Sequence, residues 1–128
     1  MNMIYIENRC LTQDSIDFLN GLPMFKHQKL KLAEDFIYLS EQSYAYKIKE
    51  IYLFGSCAKG TATVRSDIDL GVLLKEDMSL RERADLRQTW NDSYKHGVET
   101  NVVFIPPDFN NRLRLYQEIR KGIKLYGE

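Results

Sequence analysis

Residues 53–74 read LFGSCAKGTATVRSDIDLGVLL. An apolar run stops at Gly55-Ser56, ten residues intervene, and Asp67 and Asp69 then stand one apart at the head of a second apolar run. Side chains on a strand alternate between faces, so Asp67 and Asp69 point to the same side of a sheet. Two carboxylates held that close repel each other unless a cation lies between them. The Gly-Ser turn before them offers backbone N–H groups and a hydroxyl, donors suited to an anionic phosphate. An Asp-x-Asp alone is equally a turn leading into a strand. With the Gly-Ser turn at a fixed distance upstream, the pair reads as a metal–nucleotide site.

The flanking sequence supplies the frame. Ile48 to Phe54 (IKEIYLF) is rich in β-formers and ends in Gly, which predicts a first strand. Ile68 to Leu74, broken only by Asp69 and Gly71, predicts a central strand buried on both faces. Ser79, with Glu82 at the capping-box position, starts a helix from Leu80 to about Tyr94. Val98 to Ile105 is a third strand, stopped by Pro106-Pro107. Asp108 caps a last helix through about Lys121, and Gly122 leads into a short strand, Ile123 to Tyr126. Upstream, Leu32, Ala33, Phe36, Ile37 and Leu39 mark an amphipathic helix from about Gln28 to Ala45. Thr12 to Leu19 forms a short helix capped by Thr12 or Asp14, and Gly21 and Pro23 mark a turn. The pattern predicts an α/β (α+β) fold, a small mixed sheet of about three to five strands with helices mainly on one face.

Composition narrows the function. At 128 residues the chain suits a single domain, 1–128, with its motif core at 48–126. Hydrophobic residues make up 44%, enough for a packed interior. Lys plus Arg (18) balance Asp plus Glu (18), which disfavours a dedicated nucleic-acid binder. Cys10 and Cys57 suggest no disulfide framework. The start, MNMIYIENRC, lacks a basic n-region, and no apolar run approaches the roughly 20 residues of a membrane span. These features predict a soluble, cytoplasmic protein without a membrane partner.

The G-S-x10-D-x-D pattern of LFGSCAKGTATVRSDIDLGVLL resembles the signature of the DNA polymerase β-like nucleotidyltransferase superfamily. Within it, the chain is most similar to the minimal nucleotidyltransferases (MNT type). QEIRKGIKLYGE resembles that family's closing helix, Gly turn and short strand, so the likeness spans Ile48 to Tyr126. It implies a nucleotidyltransferase fold and Mg²⁺-dependent transfer of a nucleoside monophosphate, AMP from ATP, to a hydroxyl, with pyrophosphate leaving. Asp67 and Asp69 would bind Mg²⁺, two ions about 3.5–4 Å apart if the site follows two-metal logic. Gly55 and Ser56 would hold the β- and γ-phosphates of ATP or another nucleoside triphosphate, and Ser56 equally suits a helix cap. Lys59, where the family often has Arg, would bring positive charge to the triphosphate or remain a solvated lysine. Gly60 would supply a backbone conformation closed to other residues, and Ser66 would support the loop before Asp67.

The chain departs from that family at the third carboxylate. Aligning TNVVFI with the family's third strand puts Asn101 where an Asp usually stands, and Asn cannot accept a proton. Glu99, about 6–7 Å away along the same strand face, is the candidate substitute. Cys57 has no His near it in sequence and reads as a small buried filler. Arg81, Arg83 and Arg87, interleaved with Glu82 and Asp85, read as a solvated face. The resemblance further implies a small helical HEPN-type protein as partner, with this chain as antitoxin. A catalytically degenerate nucleotide- or partner-binding module is the alternative that Asn101 favours. The aminoglycoside-modifying type is disfavoured, because no extra C-terminal domain follows in these residues.

Overall fold

The computed structural model describes residues 3–108 and 113–127. In chain order, β1 (Ile6–Glu7) and β2 (Cys10–Leu11) form a hairpin, followed by α1 (Gln13–Asn20), α2 (Lys26–Ser40) and a 3₁₀ turn (Ala45–Lys47). Then come β3 (Ile48–Phe54), α3 (Ser56–Lys59), β4 (Ile68–Leu74), α4 (Leu80–Trp90), β5 (Thr100–Ile105), α5 (Arg114–Arg120) and β6 (Ile123–Tyr126). The main sheet has four strands in the order β5-β4-β3-β6. β3 runs antiparallel to β4 and β6, and β4 parallel to β5. A parallel pair needs a crossover, which α4 provides.

Alternation along the strands sorts the side chains into two layers. Ile51, Leu53, Ile68, Leu70 and Val72 are buried on one face together with Leu32 and Phe36 of α2 and Leu86 and Trp90 of α4. The other face is smaller: Tyr52, Leu73 and Ile105 pack under Tyr116 and Ile119 of α5. Gly71 makes that second layer possible, because a Cβ there would lie 2.5 Å from Ile119 Cγ2. Helices therefore lie mainly on one face, chiefly α2 and α4, and α5 covers the other, as the sequence predicts. Asp69, two residues before Gly71, belongs by parity to the α5 face.

β3, β4 and β6 have their predicted bounds, while local polar groups reset several others. Thr12, not Asp14, caps α1: its Oγ1 accepts from Ser15 N at 3.1 Å. α2 stops at Ser40, where the Ser40 hydroxyl and the Gln42 amide donate to the carbonyls of Ile37 and Tyr38 at 2.7 and 3.1 Å. α4 stops at Trp90, short of Tyr94, whose backbone N–H donates to Asp92 Oδ1 at 2.9 Å in an Asx turn. β5 begins at Thr100, two residues later than predicted. Asp108 does not cap α5, which starts from Leu113; residues 109–112 of the predicted helix lie outside the described residues. The hairpin went unread because its turn residues, Asn8 and Arg9 at φ 49° and 71°, carry the positive φ of a type I′ turn without its usual Gly.

The arginine face is solvated as read, with Arg81 and Arg87 exposed, and it also makes contacts across the fold. Arg83 and Arg87 lie over the Phe104 ring, 5.8 and 5.0 Å from its centroid, and Arg87 Nη1 donates to Val102 O at 2.8 Å. They cover the edge of β5 while Arg81 and Arg87 stay exposed to solvent. Asp85 Oδ2 accepts the hydroxyls of Tyr38 and Tyr44 at 2.6 and 2.7 Å, tying α4 to α2 and to the turn that follows.

Candidate active site

The site forms where β3 ends and β4 begins. Gly55 follows β3 with φ 72° and ψ −157°, a conformation that favours glycine. It turns the chain straight into α3, so Ser56 is the first helical residue and Gly55 occupies the cap position. The cap alternative for Ser56 is thereby set aside. The first-turn amides of Ser56 and Cys57 precede the helix's own hydrogen-bond ladder, which begins with Ala58 N and Lys59 N donating to Gly55 O. α3 ends at Gly60, in the left-handed conformation at φ 75°, as its residue type predicts.

Gly55 and Asp69 are in close contact. A Cβ on Gly55 would lie 2.6 Å from Asp69 Oδ2, so the missing side chain is the space the carboxylate occupies. Asn101 is the register partner of Asp69 across the parallel pair, and its amide hydrogen-bonds that carboxylate. Asp67, just before β4, accepts from the backbone N–H of Glu99 through Oδ1 at 3.0 Å, and the Ile68 N–H donates to Glu99 O at 2.9 Å. Burial chiefly pushes the Asp69 carboxyl above its ordinary range; the hydrogen bond from Asn101 opposes this, and the negative charge of Asp67 adds to it. Two adjacent carboxylates, one half-buried and destabilised as an anion, form a donor set that fits a divalent cation.

The other candidates fall into place around this pair. Among the described residues, no three His, Cys, Asp or Glu side chains converge. Glu99 therefore contributes its backbone, and its carboxylate does not join Asp67 and Asp69. Cys57 is buried, as read, with Sγ 3.5 Å from Asp67 O. Burial, and then the charges of Asp69 and Asp67, push its thiol up to about 11, against a nucleophilic role. The Ser66 hydroxyl is turned into its own loop, accepting from Thr63 N at 2.8 Å, so it supports the loop as predicted.

Lys59 is exposed and borders a cleft of about 180 Å³ shared with Gly55, Glu118 and Lys121. The sequence reading missed Lys121, although its place in the closing KGIKLY motif was legible. Pairing of Leu53 with Ile123 brings the end of α5 beside the Gly55 turn. Lys121 is held 3.3 Å from Glu118, so a phosphate in the cleft competes for it with a carboxylate. A larger concavity of about 510 Å³, lined by Ile48, Lys49 and Lys75 among others, lies at the opposite end of β3. It is about 20 Å from the carboxylates by strand length and holds none of this chemistry.

No helix among the described residues is long and apolar enough to cross a membrane. No curated protein matches the chain. Among solved structures, a chain of a mutant toxin–antitoxin MntA-HpeT is similar at 27% identity, with a TM-score of 0.54 over 74% of this chain and 72% of that one. A chain of the toxin–antitoxin crystallised with AMP-PNP is similar at 26% identity and a TM-score of 0.55, over 74% of this chain and 73% of that one. The sequence model of the family described as polymerase beta, nucleotidyltransferase, matches residues 37–128, which include Gly55, Ser56, Asp67, Asp69, Glu99 and Asn101. The chain belongs to the polymerase beta nucleotidyltransferase family, among its MNT-type members.

Proposed function

We propose that this chain, as one domain spanning residues 1–128, is a Mg²⁺-dependent, cytoplasmic nucleotidyltransferase that moves AMP from ATP to a hydroxyl on a partner protein. Its partner would be a small helical HEPN-type toxin, with this chain as the antitoxin. The observation that carries the reading is the Asp67/Asp69 pair, with Asp69 lodged in the space left by the absent side chain of Gly55. Membership of a nucleotidyltransferase family, and likeness to a toxin–antitoxin chain crystallised with AMP-PNP, support it.

Asp67 and Asp69 would hold the metal, with the Asn101 carbonyl as a neutral third ligand. Bound Mg²⁺ would neutralise triphosphate charge and lower the pKa of the acceptor hydroxyl. The Ser56 and Cys57 amides, Lys59 and Lys121 would orient the β- and γ-phosphates. The acceptor oxygen bonds to the α-phosphorus, the bond from that phosphorus to the bridging oxygen breaks, and pyrophosphate leaves. Since Asn101 cannot accept a proton, the hydroxyl proton passes to water or to a base on the acceptor protein.

A second reading, a binding module without turnover, is favoured by one observation: an amide, not a carboxylate, contacts Asp69. Pyrophosphate release from each nucleoside triphosphate with Mg²⁺ and candidate acceptor proteins separates the two. The Asp67→Asn/Asp69→Asn double variant is the control. Release that needs both aspartates supports transfer. Mg²⁺-dependent ATP binding without release supports the module, and binding unchanged in the double variant overturns the site assignment.

A further inference from the structure

Loop 60–66 carries the chain from α3 to Asp67, and its position decides where the first carboxylate stands. α2, most of which lies upstream of the family match at residues 37–128, grips this loop through two consecutive side chains. Gln28 is fully buried, and its Nε2 donates to Thr63 O at 3.0 Å and to Ser66 O at 2.9 Å. An amide nitrogen has two hydrogens, and here each has its own acceptor. The half-buried His27 adds a contact of 2.8 Å between Nε2 and Val64 O. Ser66 O belongs to the same planar peptide unit as Asp67 N, so fixing that oxygen fixes the plane from which Asp67 departs. Beyond Asp67, the Glu99 backbone completes the hold.

We propose that Gln28 is a positioning residue for the Asp67/Asp69 pair, its buried amide holding Thr63 and Ser66 so that Asp67 meets its metal and nucleotide in register. The proposal rests on the site described under the proposed function. Helix capping alone does not explain the residue. Gln28 Oε1 accepts the Phe25 N–H at 2.9 Å, which a glutamate at this position would do as well. Only an amide also donates to the two loop carbonyls.

That difference defines the test. Gln28→Glu keeps the acceptor for Phe25 and removes both donations; Gln28→Met keeps the length with no polar end and serves if the glutamate variant does not fold. Amide hydrogen exchange and Mn²⁺–ATP binding by calorimetry are measured on the full chain, beside the Asp67→Asn/Asp69→Asn variant. The amides of Thr63, Arg65 and Ser66 are expected to exchange about tenfold faster while β3 and β4 keep their protection, and Mn²⁺–ATP affinity to fall about tenfold. Unchanged loop exchange overturns the proposal, as does a loosened loop that binds Mn²⁺–ATP like the parent. If the parent itself shows no aspartate-dependent binding, the proposed function fails. Loop exchange then decides alone whether Gln28 sets Asp67.

Discussion

Asn101 faces Asp69 across the parallel pairing of β4 and β5, and its side-chain amide donates to the Asp69 carboxylate. The amide stabilises the Asp69 anion without a metal, whereas a carboxylate at 101 would demand a cation. Asn101→Asp should therefore lower metal-free stability by about 1–2 kcal/mol, from a lost hydrogen bond and an added like charge. Mg²⁺ should restore that loss and raise Mg²⁺-dependent pyrophosphate release above the parent's. Thermal melts with and without MgCl₂ check the first part. A variant whose melting temperature ignores Mg²⁺ would deny position 101 a place in the metal site.

Glu99 is the other half of that question. Its backbone N–H and C=O hold Asp67 and Ile68, and its carboxylate joins no three-ligand cluster among the described residues. Glu99→Gln leaves both backbone groups intact. Nucleotide affinity and any turnover should then stay within about twofold of the parent's. Loss of turnover with affinity retained would return the missing carboxylate to Glu99.

The elements around the site were legible because their signals are local. Ile48–Phe54 and Ile68–Leu74 are dense in β-forming apolar residues, and the Ser79/Glu82 capping box forms as read, with bonds of 3.1 and 2.8 Å. What stayed hidden depends on partners far along the chain. Gln28 reads as one polar residue on a helix, yet its acceptors lie 35 and 38 residues away. Asp85 and Arg87 look like ordinary surface charges until Tyr44 and Phe104 arrive from other elements. Lys31 and Asp35 show the same limit. An i, i+4 pair usually faces solvent, but here Lys31 Nζ reaches Asp35, Trp90 O and Thr100 Oγ1 at 2.7, 2.7 and 3.1 Å inside the core.

Gly55 allows a paired comparison. Gly55 and Gly97 both have positive φ, 72° and 76°, but a Cβ on Gly97 meets nothing within 4 Å while one on Gly55 meets Asp69 Oδ2. Gly97→Ala should cost only the left-handed strain, about 1–2 kcal/mol, and leave metal binding alone. Gly55→Ala carries a larger strain, because φ 72° with ψ −157° is essentially a glycine-only region, and also pushes Asp69 aside, so Mn²⁺–ATP affinity should fall about tenfold or more. Equal affinities in the two variants would separate Gly55 from the metal site.

The buried Lys31–Asp35 pair gives stability a pH dependence. Burial pushes the Asp35 carboxyl up to about 6 from 3.8, against the pull of Lys31 and the hydrogen bonds from Lys31 and Thr100. A carboxyl raised in the fold binds its proton more readily folded than unfolded. Its contribution is therefore full below about 3.8 and lost as pH rises through about 6. A shift of about two units corresponds to roughly 3 kcal/mol. Asp35→Asn has no such proton to lose, so its stability lacks this pH dependence. The stability advantage of the parent over Asp35→Asn should thus narrow between about pH 4.5 and pH 7.5 in denaturant titrations. An advantage that widens over that range would mean that Lys31 keeps Asp35 ionised and that ion pairing outweighs burial in this core.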